Sequence, residues 1–372
     1  MPRRRRDSVA FTLVVAASVL LGAIVMAVVI ALSGAPGSLA LAALLAALPV
    51  GPLVGCFMWL DRYEPEPRPL LLAGLLWGAF VATAAALVFQ GIGMAGGSSS
   101  TETLAVWAPV TEELTKGAFL VLLLWWRRHE LDGVLDGIVY AGMVGIGFAF
   151  TENLLYLAAA YDGTDGLGPG GTEALTATFV MRCLVSPFAH PLFTAFIGVG
   201  VGLAVTSRTA SLRLLLPVLG YVAAVVTHSL WNSSTIDGTG GFLVVYGTLM
   251  MPAFVAFVAF ALYRRRSERG MMRAALEDAA QRGLIPMTDI PWLVDLRARR
   301  HARAFARQRG GPQAERAMRD YQAAAIELAY LHHRYLRGTA PRDFAERGHE
   351  HVQQLNAVRP YVAFPGQVVP TR

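Results

Sequence analysis

The sequence predicts an all-α fold, a polytopic membrane bundle of about eight transmembrane helices with a helical cytoplasmic C-terminal tail. Two observations support this. Of the 372 residues, 55% are hydrophobic, and they fall in runs of about twenty residues, the length that crosses the apolar core of a bilayer. The last third of the chain is instead rich in arginine and alanine. This composition excludes an ordinary soluble enzyme.

The first apolar run, Val9–Leu32, follows a cluster of four arginines at residues 3–6. It is longer than the apolar region of a signal peptide, and Pro36 follows the only small-residue site, so we predict an uncleaved first helix. Apolar runs of similar length predict the other seven spans: Leu39–Leu60, Leu70–Gly93, Leu104–Trp126, Leu135–Ala160, Thr176–Val205, Leu212–Trp231 and Phe242–Tyr263.

The distribution of arginine predicts the orientation of the bundle, because short cytoplasmic loops carry an excess of positive charge. With the N-terminus inside, every arginine of the short loops falls on the inner side. The four outer loops, residues 33–38, 94–103, 161–173 and 232–241, contain no lysine or arginine. We therefore predict a multi-pass protein of the plasma membrane with both termini in the cytoplasm.

The C-terminal third predicts a separate cytoplasmic region. Residues 264–372 contain twenty arginines and eleven acidic residues, with apolar residues at helical spacing. We predict a membrane domain at residues 1–263 with its core at about 104–232, a basic helical tail at 264–356 and a disordered end at 357–372. A solvated helical region beside an anionic lipid leaflet explains the charge better than nucleic-acid binding, so no nucleic-acid partner is expected.

The predicted fourth span contains three ionisable residues, Glu112, Glu113 and Lys116. A charge near the bilayer centre costs about 2.5 to 3.5 kcal/mol, so such residues usually face a protein interior or a wet cavity and mark function. Lys116 is the only lysine of the chain and lies within one helical turn of both glutamates. We predict that it pairs with them and keeps a carboxylate ionised.

Later spans add further polar residues at compatible depths. A rise of about 1.5 Å per residue places Glu112, Glu152 and His228 in the outer half of the bilayer and His190 near its middle. We therefore predict one pocket, open to the outside, that brings the carboxylates and imidazoles together. The predicted catalytic residues are Glu112, Glu113, Glu152, His190 and His228, and the supporting residues are Lys116, Asn153, Thr194 and Asn232.

Carboxylates and imidazoles in one pocket suit the activation of water for hydrolysis. A zinc ion with three nitrogen or oxygen ligands lowers the pKa of bound water to about 7. A metal-free site would use a glutamate as general base with a histidine as its partner, and both mechanisms remain open here. The chain lacks the His-Glu-x-x-His, Gly-x-Ser-x-Gly and Gly-x-Gly-Asp motifs of other membrane hydrolases.

The order of these motifs resembles that of the PrsW family of intramembrane proteases, which is distantly related to the CAAX prenyl proteases. The motifs that carry the resemblance are Glu112-Glu113-x-x-Lys116, Phe148-Ala149-Phe150-Thr151-Glu152-Asn153, His190-x-x-x-Thr194 and His228-x-x-Trp231-Asn232.

The resemblance implies a protease that cleaves single-span membrane proteins, typically anti-sigma factors, in a stress-signalling cascade of regulated intramembrane proteolysis. By position, Glu112 and Glu113 would supply the catalytic base and a metal or water contact, with Glu152, His190 and His228 completing the site. For a zinc-dependent mechanism the resemblance implies Glu113, His190 and His228 as ligands.

A proton-coupled transporter or ion pathway is the alternative, because paired acids with lysine and histidine also relay protons. A relay needs polar steps toward both membrane faces. The inner halves of the predicted spans are almost purely apolar, apart from Asp132 and Asp136 at the rim. The pattern therefore favours hydrolysis.

Overall fold

The structure is a computed structural model, and it describes residues 2–164, 169–236 and 238–366, with the backbone alone for residues 2–8. The chain divides into two compact units. The membrane unit consists of Met1–Asp61 and Glu66–Ala261, and the C-terminal unit consists of Arg62–Pro65 and Leu262–Arg372. The predicted division at residue 263 lies close to the second of these boundaries, whereas the short segment 62–65 was not predicted to leave the membrane domain.

Long helices account for nearly all of the membrane unit that the structure describes. In chain order they are α1 Pro2–Leu32, α2 Pro36–Ala47, α3 Val50–Leu60, α4 Arg68–Ala95, α5 Ala108–Trp126, α6 Val134–Asp162, α7 Gly171–Phe179, α8 Ala189–Thr206, α9 Ala210–Ile236 and α10 Gly238–Gln281.

Seven helical segments in the described part of the chain are long and apolar enough to cross a membrane. They correspond to seven of the eight predicted spans. The remaining one, predicted at Leu104–Trp126, is α5, which is helical but contains Glu112, Glu113 and Lys116 and so is less apolar than the others. The polytopic helical bundle is confirmed, and the protein is an integral membrane protein.

Helix α6 is the central helix of the membrane unit, with nearly all of its residues buried. Glycines allow its neighbours to approach closely, as small residues do in other membrane bundles. A Cβ added to Gly147 would lie 1.9 Å from the carbonyl oxygen of Leu75 on α4, and one added to Gly137 would lie 2.1 Å from that of Gly198 on α8. The tight packing fixes α6, which carries Glu152 and Asn153.

Two helices that carry site residues are irregular just before those residues. A π-helical turn, Thr103–Trp107, precedes α5, and another, Val180–Val185, follows α7. The chain then breaks at residues 186–188, and α8 begins at Ala189. The predicted sixth span is thus two helices joined immediately before His190. Interruptions of this kind are common at functional sites.

The C-terminal unit has a helical core of its own, as its composition predicts. It contains α11 Ile290–Val294, α12 Leu296–Leu336, which bends at Gly311, and α13 Phe344–Val358. The predicted disorder from residue 357 is corrected for residues 357–366: a 3-10 turn follows α13, and Phe364 has no exposed surface. The sequence of this segment, which contains proline and glycine, did not predict that the Phe364 ring is buried. Residues 367–372 lie outside the described part.

Candidate active site

The charged residues of α5 form a buried cluster around one ammonium group. Lys116 Nζ lies 2.8 Å from Glu113 Oε1 and 3.3 Å from Glu112 Oε2. It also lies 3.2 Å from His190 Nδ1 and 3.7 Å from the centre of the Phe148 ring. An ammonium has three N–H donors, so these two carboxylates and the imidazole account for all of them. Lys116 thus contacts both of the glutamates with which it was predicted to pair.

Glu113 has no exposed surface, and both of its carboxylate oxygens are hydrogen-bonded. Oε1 accepts from Lys116 and lies 3.0 Å from His228 Nδ1, while Oε2 accepts from the hydroxyl of Thr194 at 3.1 Å. The donors come from α5, α8 and α9. Glu113 therefore holds three helices in register and orients the His228 ring.

The neighbours of His228 fix its ring and leave one ring nitrogen, Nε2, able to accept a hydrogen bond. Nδ1 donates to Glu113, which leaves Nε2 as the unprotonated nitrogen of a neutral ring. Nε2 lies 3.8 Å from Glu112 Oε2. The ring stacks on Phe193 with centroids 4.6 Å apart and meets the His190 ring edge-on at 5.2 Å. His228 Nε2 is thus aimed at Glu112.

Glu112 is the less saturated of the two neighbouring glutamates. Its Oε1 accepts from Gln90 Nε2 at 3.3 Å, and its Oε2 accepts from Lys116 and lies 3.8 Å from the unprotonated Nε2 of His228. Glu112 also lines a cavity of about 430 Å³. Gln90 was not predicted as a site residue, although it is a lone amide in an otherwise apolar helix, which is the signal that could have identified it.

A second network lies on the other side of His190. Because Nδ1 accepts from Lys116, the ring carries its proton on Nε2, which donates to Glu152 Oε2 at 2.5 Å. Arg182 donates from Nη2 to the same oxygen at 2.5 Å and from Nε to Asn153 Oδ1 at 2.8 Å. Glu152 therefore orients His190. Its connection to Glu112 runs through His190 and Lys116.

Three donors are close enough to share a metal ion. Glu112, His190 and His228 each offer one ligand atom, and these atoms lie within 4.8 Å of one another. A carboxylate and two imidazoles are a donor set that zinc takes in catalytic sites, so the residues fit this metal. The predicted set had Glu113 in place of Glu112, whereas in the structure Glu113 is occupied by Lys116, His228 and Thr194.

Asn232, predicted as a supporting residue, forms its hydrogen bond outside the networks around Lys116 and His190. Its Nδ2 donates to the carbonyl oxygen of Leu104 at 3.0 Å, which ties α9 to the turn before α5. Its side chain also contributes to the cavity beside Glu112. The other predicted residues meet in the two networks that share His190.

The sequence profile of one family, described as PrsW family intramembrane metalloprotease, matches residues 66–260. Three relatives are each named Protease PrsW. That of Geobacillus kaustophilus is 31% identical over 153 residues, which are 41% of this chain and 61% of the relative. That of Bacillus subtilis is 28% identical over 155 residues, 41% of this chain and 63% of the relative.

The third relative, from Clostridioides difficile, is 33% identical over 126 residues, which are 31% of this chain and 49% of the relative. The chain thus spans about half to two thirds of the length of these curated relatives. No solved structure matches it. The family match covers more than half of the chain and contains every residue of the two networks, so the chain belongs to the PrsW family of intramembrane metalloproteases.

Proposed function

We propose that the protein hydrolyses peptide bonds of single-span membrane proteins, with anti-sigma factors as the substrate class. The observation that carries this proposal is the pair formed by His228 and Glu112, of which Glu112 lines a cavity. A carboxylate with spare acceptor capacity lies 3.8 Å from an unprotonated imidazole nitrogen, a separation that leaves room for a water molecule bound to both. The family membership supports hydrolysis over proton transport.

In this mechanism Glu112 is the general base. His228 Nε2 accepts a hydrogen bond from the water, and Glu112 removes its other proton as the water oxygen bonds to the carbonyl carbon. The carbonyl oxygen takes the electron pair and becomes an oxyanion. Glu112 then returns the proton to the leaving nitrogen as the carbon–nitrogen bond breaks. Glu113 and Glu152 hold the two imidazoles in the required tautomers, and Lys116 supplies a fixed positive charge.

A zinc ion would be held by Glu112, His190 and His228. When bound, it would act as a Lewis acid and lower the pKa of water. Glu112 Oε2 and His190 Nδ1 are hydrogen-bonded to Lys116, so a metal bound through these two atoms would require the ammonium to give up both contacts. Metal analysis of the purified protein, with His228→Ala as control, separates the two mechanisms.

Cleavage of a co-expressed single-span reporter in membranes tests the function. Glu112→Gln and His228→Ala should each abolish cleavage, whereas Glu173→Gln, an exposed carboxyl on α7, should not. Normal cleavage by both site variants would refute the mechanism. A proton flux in vesicles that Glu152→Gln abolishes would instead favour transport. We also propose that both termini are cytoplasmic, which tagged termini and protease protection would test.

A further inference from the structure

Two cavities border the candidate active site, and they share none of their lining residues. The Glu112 cavity, of about 430 Å³, is lined by Glu112, Glu152 and Tyr156 among others. The His190 cavity, of about 400 Å³, is lined by His190, Asn153 and others. Each lies in the size range of ligand pockets, about 300 to 1,000 Å³. The site is therefore flanked by binding space on two sides.

One arginine side chain contacts residues of both cavities. Arg182 lines the His190 cavity and donates to Asn153, which lines the same cavity. It also donates to Glu152, and its guanidinium lies 4.0 Å from the centre of the Tyr156 ring. Both of these residues line the Glu112 cavity. The Arg182–Glu152 pair thus links the lining of one cavity to the lining of the other.

Two residues of the candidate site are divided between the cavities. Glu112 and His190 belong to the group of donors within 4.8 Å of one another, yet each lines a different cavity. A bound peptide must extend on both sides of the bond that is cut. A groove that passes both Glu112 and His190 satisfies that requirement, and neither cavity does so alone.

The linings of the two cavities also supply hydrogen-bond partners for an unwound membrane segment. When a helix unwinds in an apolar environment, its backbone N–H and C=O groups require new hydrogen-bond partners. Hydroxyl and amide side chains line both cavities: Ser33, Thr83 and Gln90 in one, and Ser186, Thr235 and Thr239 in the other. The hydroxyls of Ser33, Thr83, Ser186 and Thr235 donate to backbone carbonyl oxygens of the protein and can still accept from peptide N–H groups. Such contacts do not depend on the side chains of the peptide.

We propose that the two cavities are the two halves of one substrate groove, and that each holds the unwound chain on one side of the bond to be cut. The halves meet at the Arg182–Glu152 pair. This inference rests on the proposed proteolytic function. It assigns the ligand class of both cavities as an extended apolar peptide.

Thiol protection tests the groove without requiring hydrolysis. Ser33→Cys and Thr235→Cys each place a thiol in one cavity, in a full-length protein that carries Cys183→Ala. The native Cys56 is exposed and lines neither cavity, so it is the internal control. The probe is a synthetic single-span peptide of about twenty apolar residues with lysines at both ends and Gly-Ser at its centre. Alkylation by N-ethylmaleimide is followed by mass spectrometry.

The peptide should slow alkylation of both cavity thiols at least tenfold, with the same half-protection concentration, and leave that of Cys56 unchanged. Protection of one thiol alone, or of neither, would overturn the groove. The same samples report hydrolysis of the peptide. Protection of both thiols without hydrolysis would support the groove and count against the proposed function. Hydrolysis without protection of both thiols would support the proposed function and contradict the groove.

Discussion

Lys116 Nζ lies 2.8 Å from Glu113 Oε1, and neither side chain has any exposed surface. Removing two charges from water costs several kcal/mol for each, and only their mutual attraction and further hydrogen bonds offset that cost. Lys116 obtains these from Glu112 and His190, and Glu113 from His228 and Thr194. The stability of the bundle is thus coupled to an intact site.

Replacing Lys116 by methionine should destabilise the fold by about 3 to 5 kcal/mol, because it leaves a buried carboxylate without its counter-charge. Unfolding in mixed detergent, followed by circular dichroism, measures the change. Arg319→Met is the matched control, since it breaks the partly exposed pair with Glu315 and should cost less than about 1 kcal/mol. A Lys116→Met protein as stable as wild type would show that the cluster is held together in another way.

Thr194→Val should lower the rate of reporter cleavage by about 10- to 100-fold, the usual effect of removing a group that orients a site residue. Valine keeps the shape of threonine but removes the hydrogen bond to Glu113 Oε2, so Glu113 is free to turn away from His228. Thr227→Val is the control, because that hydroxyl donates to its own helix at Ala223. Equal rates in the two variants would show that Glu113 does not need Thr194.

Arg182→Lys should lower kcat on the order of tenfold and leave KM nearly unchanged. Arginine holds Glu152 and Asn153 with separate N–H groups, whereas a lysine is a point charge without that fork. Glu152 would then orient His190 less well in the transition state, which affects kcat. Steady-state kinetics on a fluorogenic peptide separates the two parameters. A rise in KM alone would assign Arg182 to binding.

Much of the site could be predicted because each of its residues is anomalous in its surroundings. An acid or an imidazole in an apolar run has few structural explanations, and the spacing of Glu112, Glu113 and Lys116 within one helical turn determines their pairing. The relative roles of Glu112 and Glu113 could not be predicted. Adjacent residues point about 100° apart on a helix, so the rotation of α5 in the bundle decides which one faces the cavity.

The fold was predictable to the level of individual spans, and the exceptions have physical causes. The break before His190 follows from Pro187, whereas its π-helical turn at Val180–Val185 depends on packing. The ordered segment at residues 357–366 depends on Phe364, which is buried against the C-terminal core. The sequence of this segment, which also contains Tyr361, does not identify what the Phe364 ring packs against. The packing of Phe364 is visible only in the folded unit.

Gly147→Ala should destabilise the bundle by at least about 1 to 3 kcal/mol, the usual cost of overpacking. The new methyl group would lie 1.9 Å from the carbonyl oxygen of Leu75, so α4 and α6 must separate. Gly91→Ala is the control, because nothing lies within 4 Å of its added Cβ. It should be neutral or stabilising by up to about 1 kcal/mol. Thermal unfolding in detergent compares them, and equal melting temperatures would contradict this packing.

Asp61, in the connection between α3 and α4, should make the protein less stable as the pH rises from about 4 to about 8. Burial raises the pKa of its carboxyl group from 3.8 to about 8, although the hydrogen bond from the Glu66 backbone N–H partly opposes this. Burial also raises the pKa of Glu66 well above 4.5. Between pH 4 and 8 the folded state therefore binds more protons than the unfolded state, and stability falls with increasing pH.

Asp61→Asn should reduce that slope and raise the melting temperature at pH 8 relative to wild type. Asparagine stays neutral at every pH, and its carbonyl oxygen can accept the same N–H of Glu66. Melting temperatures at pH 5, 6.5 and 8 measure the slope, with Asp320→Asn at an exposed position of α12 as the control for the loss of one acidic group. Glu66, whose carboxyl group accepts from the Tyr140 hydroxyl at 2.6 Å, contributes part of the slope that remains. A variant that keeps the full wild-type slope would show that Asp61 ionises in the folded protein without penalty.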